Sequence, residues 1–345
     1  MKYFLLSVSK NKKLKQINIG DYVQALASSQ YYPRIDGFLD RDEELNEYNG
    51  EKAKMIMNGW YMHNPFNWPP SSNIEPLFVA FHLNLLVKNE LTSPESIAYL
   101  KSHEPIGCRD YTTMNILKEH GIDSYFSGCM TLTLGKTFKT NEKSENVYIV
   151  DPKVKVKTNN RNFIIALLYS MFHVSSTRKL WKKYFLFSQY GFKWRLIYVV
   201  NFYRQYTKVF EKKMLLDAIY VTQESSYYKY AFATDFDRLE EARRLITEYA
   251  KAALVITSRI HCALPCLGLG TPVLYTEIDN DSEVSQCRLK GLKDLFNVIE
   301  CKNDKIVPLF DTKLPIDTHN RPNNKHKWLN LFESLDKRCV DFMRN

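Results

Sequence analysis

Four consecutive residues, Ser258-Arg259-Ile260-His261, combine a hydroxyl, a guanidinium and an imidazole within one turn of chain. They follow the apolar run Leu254-Val255-Ile256-Thr257, which reads as a strand, and precede a stretch that reads as a helix. Ser258 is placed to cap that helix, whose first unbonded N–H groups attract anions. Arg259 adds a fixed fork of donors and His261 a group that titrates near neutrality. A cation, a proton carrier and a helix start at one strand end suit a phosphate or carboxylate substrate. The same residues also allow a structural reading, with Arg259 paired to a carboxylate and His261 packed in the core.

The first half of the chain holds a parallel case. Ile106-Gly107-Cys108-Arg109-Asp110 ends a strand and opens a helix, which places a second arginine, Arg109, at an equivalent edge. Asn18-Ile19-Gly20-Asp21 leads into a helix as well; the glycine permits close backbone approach, and Asp21 fits either a cap or a base. Asn58, Trp60, His63 and His82 also fall at strand ends and offer the aromatic faces and mixed donors that suit a sugar ring, although structural loops explain them too. Cys262 and Cys266 lie one helical turn apart beside His261, but without a further matched pair they read as a buried helix face, and no metal is expected. No Walker loop, GxGxxG, GxSxG or HExxH motif occurs.

The elements that position these residues follow from the apolar pattern. Strands are expected at 3–8, 55–58, 77–81, 105–108 and 124–126, with helices near 21–29, 94–101 and 111–120. A second set has strands at 147–150, 218–222, 254–257, 273–275 and 298–300, and helices near 236–251, 259–267 and 286–295. Strands alternating with helices indicate parallel sheets, so the expected fold class is α/β with two Rossmann-like lobes. The boundaries expected are 1–145 for the first lobe, 146–325 for the second and 326–345 for a closing amphipathic helix. Chemistry in such an architecture falls in the cleft between lobes, at the carboxyl ends of strands.

Composition narrows the class further. With 345 residues, 45% of them apolar and 25% charged, the chain is neither a minimal scaffold nor globally disordered. Seven cysteines without a CxxC pair indicate reduced thiols and a cytoplasmic protein. The N-terminal residues read as a first strand rather than a signal peptide, and no apolar run approaches the ~18 residues of a spanning helix. The formal charge of +10 is concentrated: residues 153–213 carry fourteen basic side chains against one acid, Glu211, so the rest is mildly acidic. This segment is also rich in aromatics, with Lys193, Arg204, Lys208 and Glu211 on one side of a helix if it runs unbroken. It is expected to form a helical basic and aromatic insertion in the second lobe. An anionic membrane surface suits it best; a solvated basic face is the plainer alternative, and nucleic acid is not expected as a partner.

The stretches Asn18 to Ala27, Ile106 to Asp110, and Val255 to His261 followed by Gly270-Thr271-Pro272-Val273 resemble the polysaccharide pyruvyl transferase family. The resemblance covers roughly 17–295. It implies a fold similar to the two-lobed GT-B glycosyltransferases and transfer of the pyruvyl group of phosphoenolpyruvate to two sugar hydroxyls as a ketal, without a metal or other cofactor. Carried over, the phosphoenolpyruvate contacts would be Arg109, Arg259, the backbone at Ile260 and His261, with Ser258 beside them. His261 is then the general acid and Asp21 the candidate base. Many members have Gly-Asp where this chain has Gly128-Cys129, which puts a carboxylate role there in doubt. The implied setting is bacterial capsule or exopolysaccharide synthesis, on a saccharide acceptor linked to polyprenyl diphosphate at the inner face of the cytoplasmic membrane. Two alternatives remain: a GT-B-type glycosyltransferase using a sugar nucleotide, and a non-catalytic glycan-binding subunit, against which the retained arginines and histidine argue.

Overall fold

The computed structural model describes residues 1–10, 14–183, 191–278, 286–302 and 305–344. It is a mixed α/β structure built on parallel sheets. In the first, Gly37–Asp40, Lys2–Ser7, Ala53–Ile56 and Ile74–Leu77 lie side by side in that order, all parallel. A second set, Gly59–Tyr61, Phe81–Leu83, Ile106–Cys108 and Ser124–Phe126, is also parallel. Hydrogen bonds from Met57 N to Leu77 O (2.8 Å) and from Gly107 N to Phe78 O (2.9 Å) run the two sets together. The strand expected over 77–81 is thus interrupted, because Ala80 takes a positive φ of 54° and breaks the ladder before Phe81 resumes it.

The other sheet orders Ile219–Val221, Val147–Val150, Leu254–Thr257, Val273–Ile278, Asn297–Lys302 and Lys305–Pro308, with only the last strand antiparallel. Val147–Val150 and Leu254–Thr257 are buried at every position, as parallel strands covered on both faces must be. The two sheets share one core. Leu5 and Val79 from the first pack in the same apolar cluster as Val150 and Val255 from the second, with Val23, Leu26, Leu245, Ile246 and Leu264 of the intervening helices. A short antiparallel pairing of Ile17–Asn18 with Glu224–Ser225 ties the halves through the backbone. The closing helix, Leu329–Arg344, returns to the first sheet, where Lys54 Nζ donates to Phe342 O (2.9 Å).

Between Val147–Val150 and Ile219–Val221 the basic segment forms the helices Asn160–Phe172, Val174–Lys183, Phe192–Tyr206 and Lys212–Asp217. The basic face expected from Lys193, Arg204, Lys208 and Glu211 does not form, because Phe192–Tyr206 ends before the last two. The aromatics Tyr184, Phe185 and Phe187 lie outside the described residues. Of the helix expected over 286–295, Gln286 and Cys287 are helical, and turns and a short 3-10 helix, Lys293–Leu295, follow them. No helix among the described residues is long and apolar enough to cross a membrane.

Candidate active site

The helix Ile260–Leu269 begins where Leu254–Thr257 ends, and Arg259 occupies its N-cap position. Ser258 does not cap it as expected: its hydroxyl donates to the carbonyl of Asp151 at 2.6 Å, and no side chain satisfies the first turn. The N–H groups that open the helix at Ile260 therefore lack a side-chain cap, and Ile260 lines the neighbouring cavity.

That cavity, of about 280 Å³, lies between the sheets. Arg109 enters it from the end of Ile106–Cys108, Arg259 and His261 from the second sheet, and Asp21 from the first turn of Ile19–Ser29. Trp60 and His63 complete the wall on the first-sheet side, their rings 4.5 Å apart. Two further cations that sequence reasoning missed, Arg41 and Arg288, line it as well, together with Gln223 and Glu224. Neither arginine lies in a recognisable motif; Arg41 follows the short strand Gly37–Asp40, and Arg288 sits in a turn.

The charges are held in different ways. Arg259 donates from Nε to Asp151 (2.7 Å) and from Nη1 to Glu224 (3.0 Å). Burial pulls its pKa down, but Asp151 and Glu224 outweigh burial and raise it. The ion pairs expected under the structural reading of Arg259 are therefore present, and they leave the residue on the cavity wall. Arg109 is only 1% exposed, makes no salt bridge, and leaves its Nε without a hydrogen-bond partner among the described residues. Burial lowers its pKa, with Asp110 acting in the opposite sense.

His261 is buried, and its Nε2 also lacks a partner among the described residues. Burial, then the positive charges of Arg109, Arg288 and Arg259, push its pKa well below 6.5, so the free protein holds it neutral. The other side of the ring abuts Gly20, where a Cβ would stand 3.0 Å from Nδ1 and 2.9 Å from Asn18 Oδ1. Only glycine lets that helix start so close. Asn18 supplies the cap, accepting from Gly20 N at 3.0 Å, which leaves Asp21 free of the capping role. Burial raises the Asp21 pKa, while Arg41, 3.9 Å away, and Arg109 oppose the shift.

Three expected positions lie outside this lining: Ser258, which lines an adjoining hollow, Asn58 and His82. Asn58 is interior, accepting from Ser28 Oγ (2.9 Å) and donating to Gln24 O (3.0 Å). His82 is buried against Asp110 at 2.5 Å, and burial, with Arg109, lowers its pKa to about 4. Neither lines the cavity. Cys262 and Cys266 are buried on the helix, and no group of metal-ligating side chains occurs among the described residues.

A parallel α/β framework thus carries, at its strand ends, a cavity lined by a helix start, four arginines and two histidines, with Asp21 and Glu224 beside them. The family model for polysaccharide pyruvyl transferases matches residues 18–280, and the chain belongs to this family, making it a transferase of polysaccharide biosynthesis. No curated protein and no solved structure matches significantly.

Proposed function

We propose that the protein moves the pyruvyl group of phosphoenolpyruvate onto two hydroxyls of a sugar, forming a ketal and releasing inorganic phosphate. The observation that carries this reading is the convergence of Arg109, Arg259, the helix start at Ile260 and His261, whose Nε2 has no partner among the described residues, on one cavity. Phosphoenolpyruvate bears a phosphate and a carboxylate, and two guanidinium forks with a helix N-terminus are matched to both. In this reading residues 1–145 and 146–325 are the two lobes of a GT-B-like fold, the first supplying Arg109 and the second Arg259.

The first sugar hydroxyl adds to C2 while the methylene carbon takes up a proton and becomes methyl. The second hydroxyl then forms the other C2–O bond, the C2–O bond to phosphate breaks, and its proton leaves with the phosphate. His261 is the general acid: burial and then the arginines lower its proton affinity, and a bound multianion offsets the arginines' part and so raises it. Asp21, whose pKa is already raised, accepts a hydroxyl proton. Trp60 and His63 offer the acceptor ring an aromatic wall. The acceptor is a saccharide on polyprenyl diphosphate at the inner face of the cytoplasmic membrane, and the reaction requires no metal or cofactor.

Incubation of the purified protein with labelled phosphoenolpyruvate and candidate lipid-linked saccharides tests this. A saccharide carrying labelled, acid-labile pyruvate is the expected product. Transfer of sugar from a nucleotide donor, with no pyruvyl transfer, would replace this reading by the glycosyltransferase one.

A further inference from the structure

An α-helix that is apolar on all sides belongs in an interior. The helix Asn160–Phe172 is apolar nearly all round and is only half covered. Ala166 is fully buried against Leu196, Ile197 and Val200 of the neighbouring helix. On the opposite side Ile164, Leu168, Met171 and Phe172 are each more than half exposed, Phe172 at 84%, and Val174 and Phe192 extend the same surface. At ~100° per residue, Arg161, Ile164, Ile165, Leu168, Met171 and Phe172 fall within about 120° of one another, so they form one continuous face.

Charge selects what covers it. Arg161 lies on that face, Arg178 shares a hollow with Met171, Val174 and Phe192, and Lys182 is exposed one helical turn beyond Arg178, while residues 153–210 contain no acid at all. A second copy docking face to face would set one basic surface against another. An anionic lipid layer neutralises the rim and accepts the apolar side chains. Three of the lysines that composition alone suggests are engaged within the protein. Lys179 pairs with Asp217 (2.5 Å), Lys183 donates to the carbonyl of Ala218 (2.6 Å), and Lys193 donates to Asn160 Oδ1 (2.6 Å).

We propose that the exposed face of Asn160–Phe172, rimmed by Arg161, Arg178 and Lys182, inserts into the headgroup–acyl boundary of an anionic bilayer. The attachment is an apolar wedge with a basic rim, rather than a purely electrostatic patch. Phe192–Tyr206 carries Phe192 to the exposed face, and on its other side sends Trp194 and Tyr198 into a hollow whose lining shares Glu224, Arg259 and Arg288 with the candidate active site. The inference goes beyond pyruvyl transfer and stands without it, since it concerns binding in the absence of substrate.

The test is cosedimentation of the full chain with vesicles of phosphatidylcholine alone or mixed with phosphatidylglycerol. The parent should partition onto the anionic vesicles. Each buried leucine or phenylalanine contributes about tenfold or more to such partitioning, so the double variant Leu168→Glu/Phe172→Glu should lose ~100-fold, with Phe172→Leu close to the parent. Both changed side chains are exposed, so thermal unfolding should match the parent. A second measurement avoids the double variant: Met171→Cys, labelled with a polarity-sensitive fluorophore, should shift to the blue when anionic vesicles are added. All seven native cysteines are buried, which directs the label to the new site. A parent that does not bind, a double variant that binds equally well, or an unshifted fluorophore each overturns the proposal. So does a parent that is dimeric without lipid and becomes monomeric in the double variant, because the face is then covered by a second copy.

Discussion

Arg109 and Arg259 meet the same cavity under opposite physical conditions. Arg259 is oriented in advance by Asp151 and Glu224, so little ordering remains to be done when an anion arrives. Arg109 is buried without a salt bridge to any of the described residues, a costly state that an anionic ligand relieves. A lysine at either position keeps the charge but loses the fork. Arg109→Lys and Arg259→Lys should therefore each weaken phosphoenolpyruvate binding by about tenfold or more in calorimetry, the worth of a charged hydrogen bond at ~1.5–3 kcal/mol. Parent-like affinity in both would remove them from the site. His261 gives a proton signature. In the unfolded chain it titrates near 6.5, whereas burial and the arginines hold the folded group neutral well below that. As pH falls through 6.5 the unfolded state gains a proton that the folded state refuses, so stability decreases on the acid side. His261→Gln should flatten that dependence, followed by melting at several pH values. With phosphoenolpyruvate the sign reverses at the site: binding should take up a proton, visible in calorimetry in buffers of different ionisation enthalpy and absent in His261→Gln. Loss of the acid should also cost ~10² to 10⁴ in turnover.

At the scale of elements, the site depends on how closely Ile260–Leu269 is held. It crosses the 3-10 segment Met130–Leu134 at Gly268, where a Cβ would stand 2.1 Å from Leu132 O, so no side chain fits without moving backbone. Gly268→Ala should lower the melting temperature by the equivalent of ~1–3 kcal/mol or more, although alanine is the better helix former. Parent-like melting would mean that the crossing yields easily. The strand and helix around Arg259 were legible in the sequence because four apolar residues and a helix start stand in direct succession. The strand Gly37–Asp40 was not, being only partly buried and without strong alternation. Ile17–Asn18 and Glu224–Ser225 are too short to show any period, and their pairing joins residues some two hundred positions apart. Side-chain direction was also illegible. Asn58, Trp60, His63 and His82 all fall near strand ends, yet Trp60 and His63 face the cavity while Asn58 and His82 turn inward to Ser28 and Asp110. Arg41 and Arg288 reach the site from loops whose positions are set by tertiary packing, which no local pattern encodes.

Across the whole molecule, the halves are joined by one core, and a ligand touching Arg109 and Arg259 bridges them again. The closing helix belongs to this join. Leu335 and Cys339 are buried in that core, Cys339 beside Met130, and Tyr31 and Lys136 both reach Asp336. Met130–Leu134 thus lies between the closing helix and Ile260–Leu269, the helix whose start lines the cavity. Leu335→Asp places a carboxylate where no partner waits, which costs several kcal/mol. It should lower the melting temperature and, by loosening Met130–Leu134, weaken phosphoenolpyruvate binding, although Leu335 does not line the cavity. Leu335→Met, which preserves volume, should do neither. The readout is melting with and without ligand. At a hundred times its Kd, phosphoenolpyruvate should stabilise the parent and Leu335→Met by ~2.7 kcal/mol, and Leu335→Asp by less at the same concentration. If Leu335→Asp melts lower yet gains the full increment, the closing helix supports the fold alone, and the geometry around Arg259 and His261 is set within the second sheet.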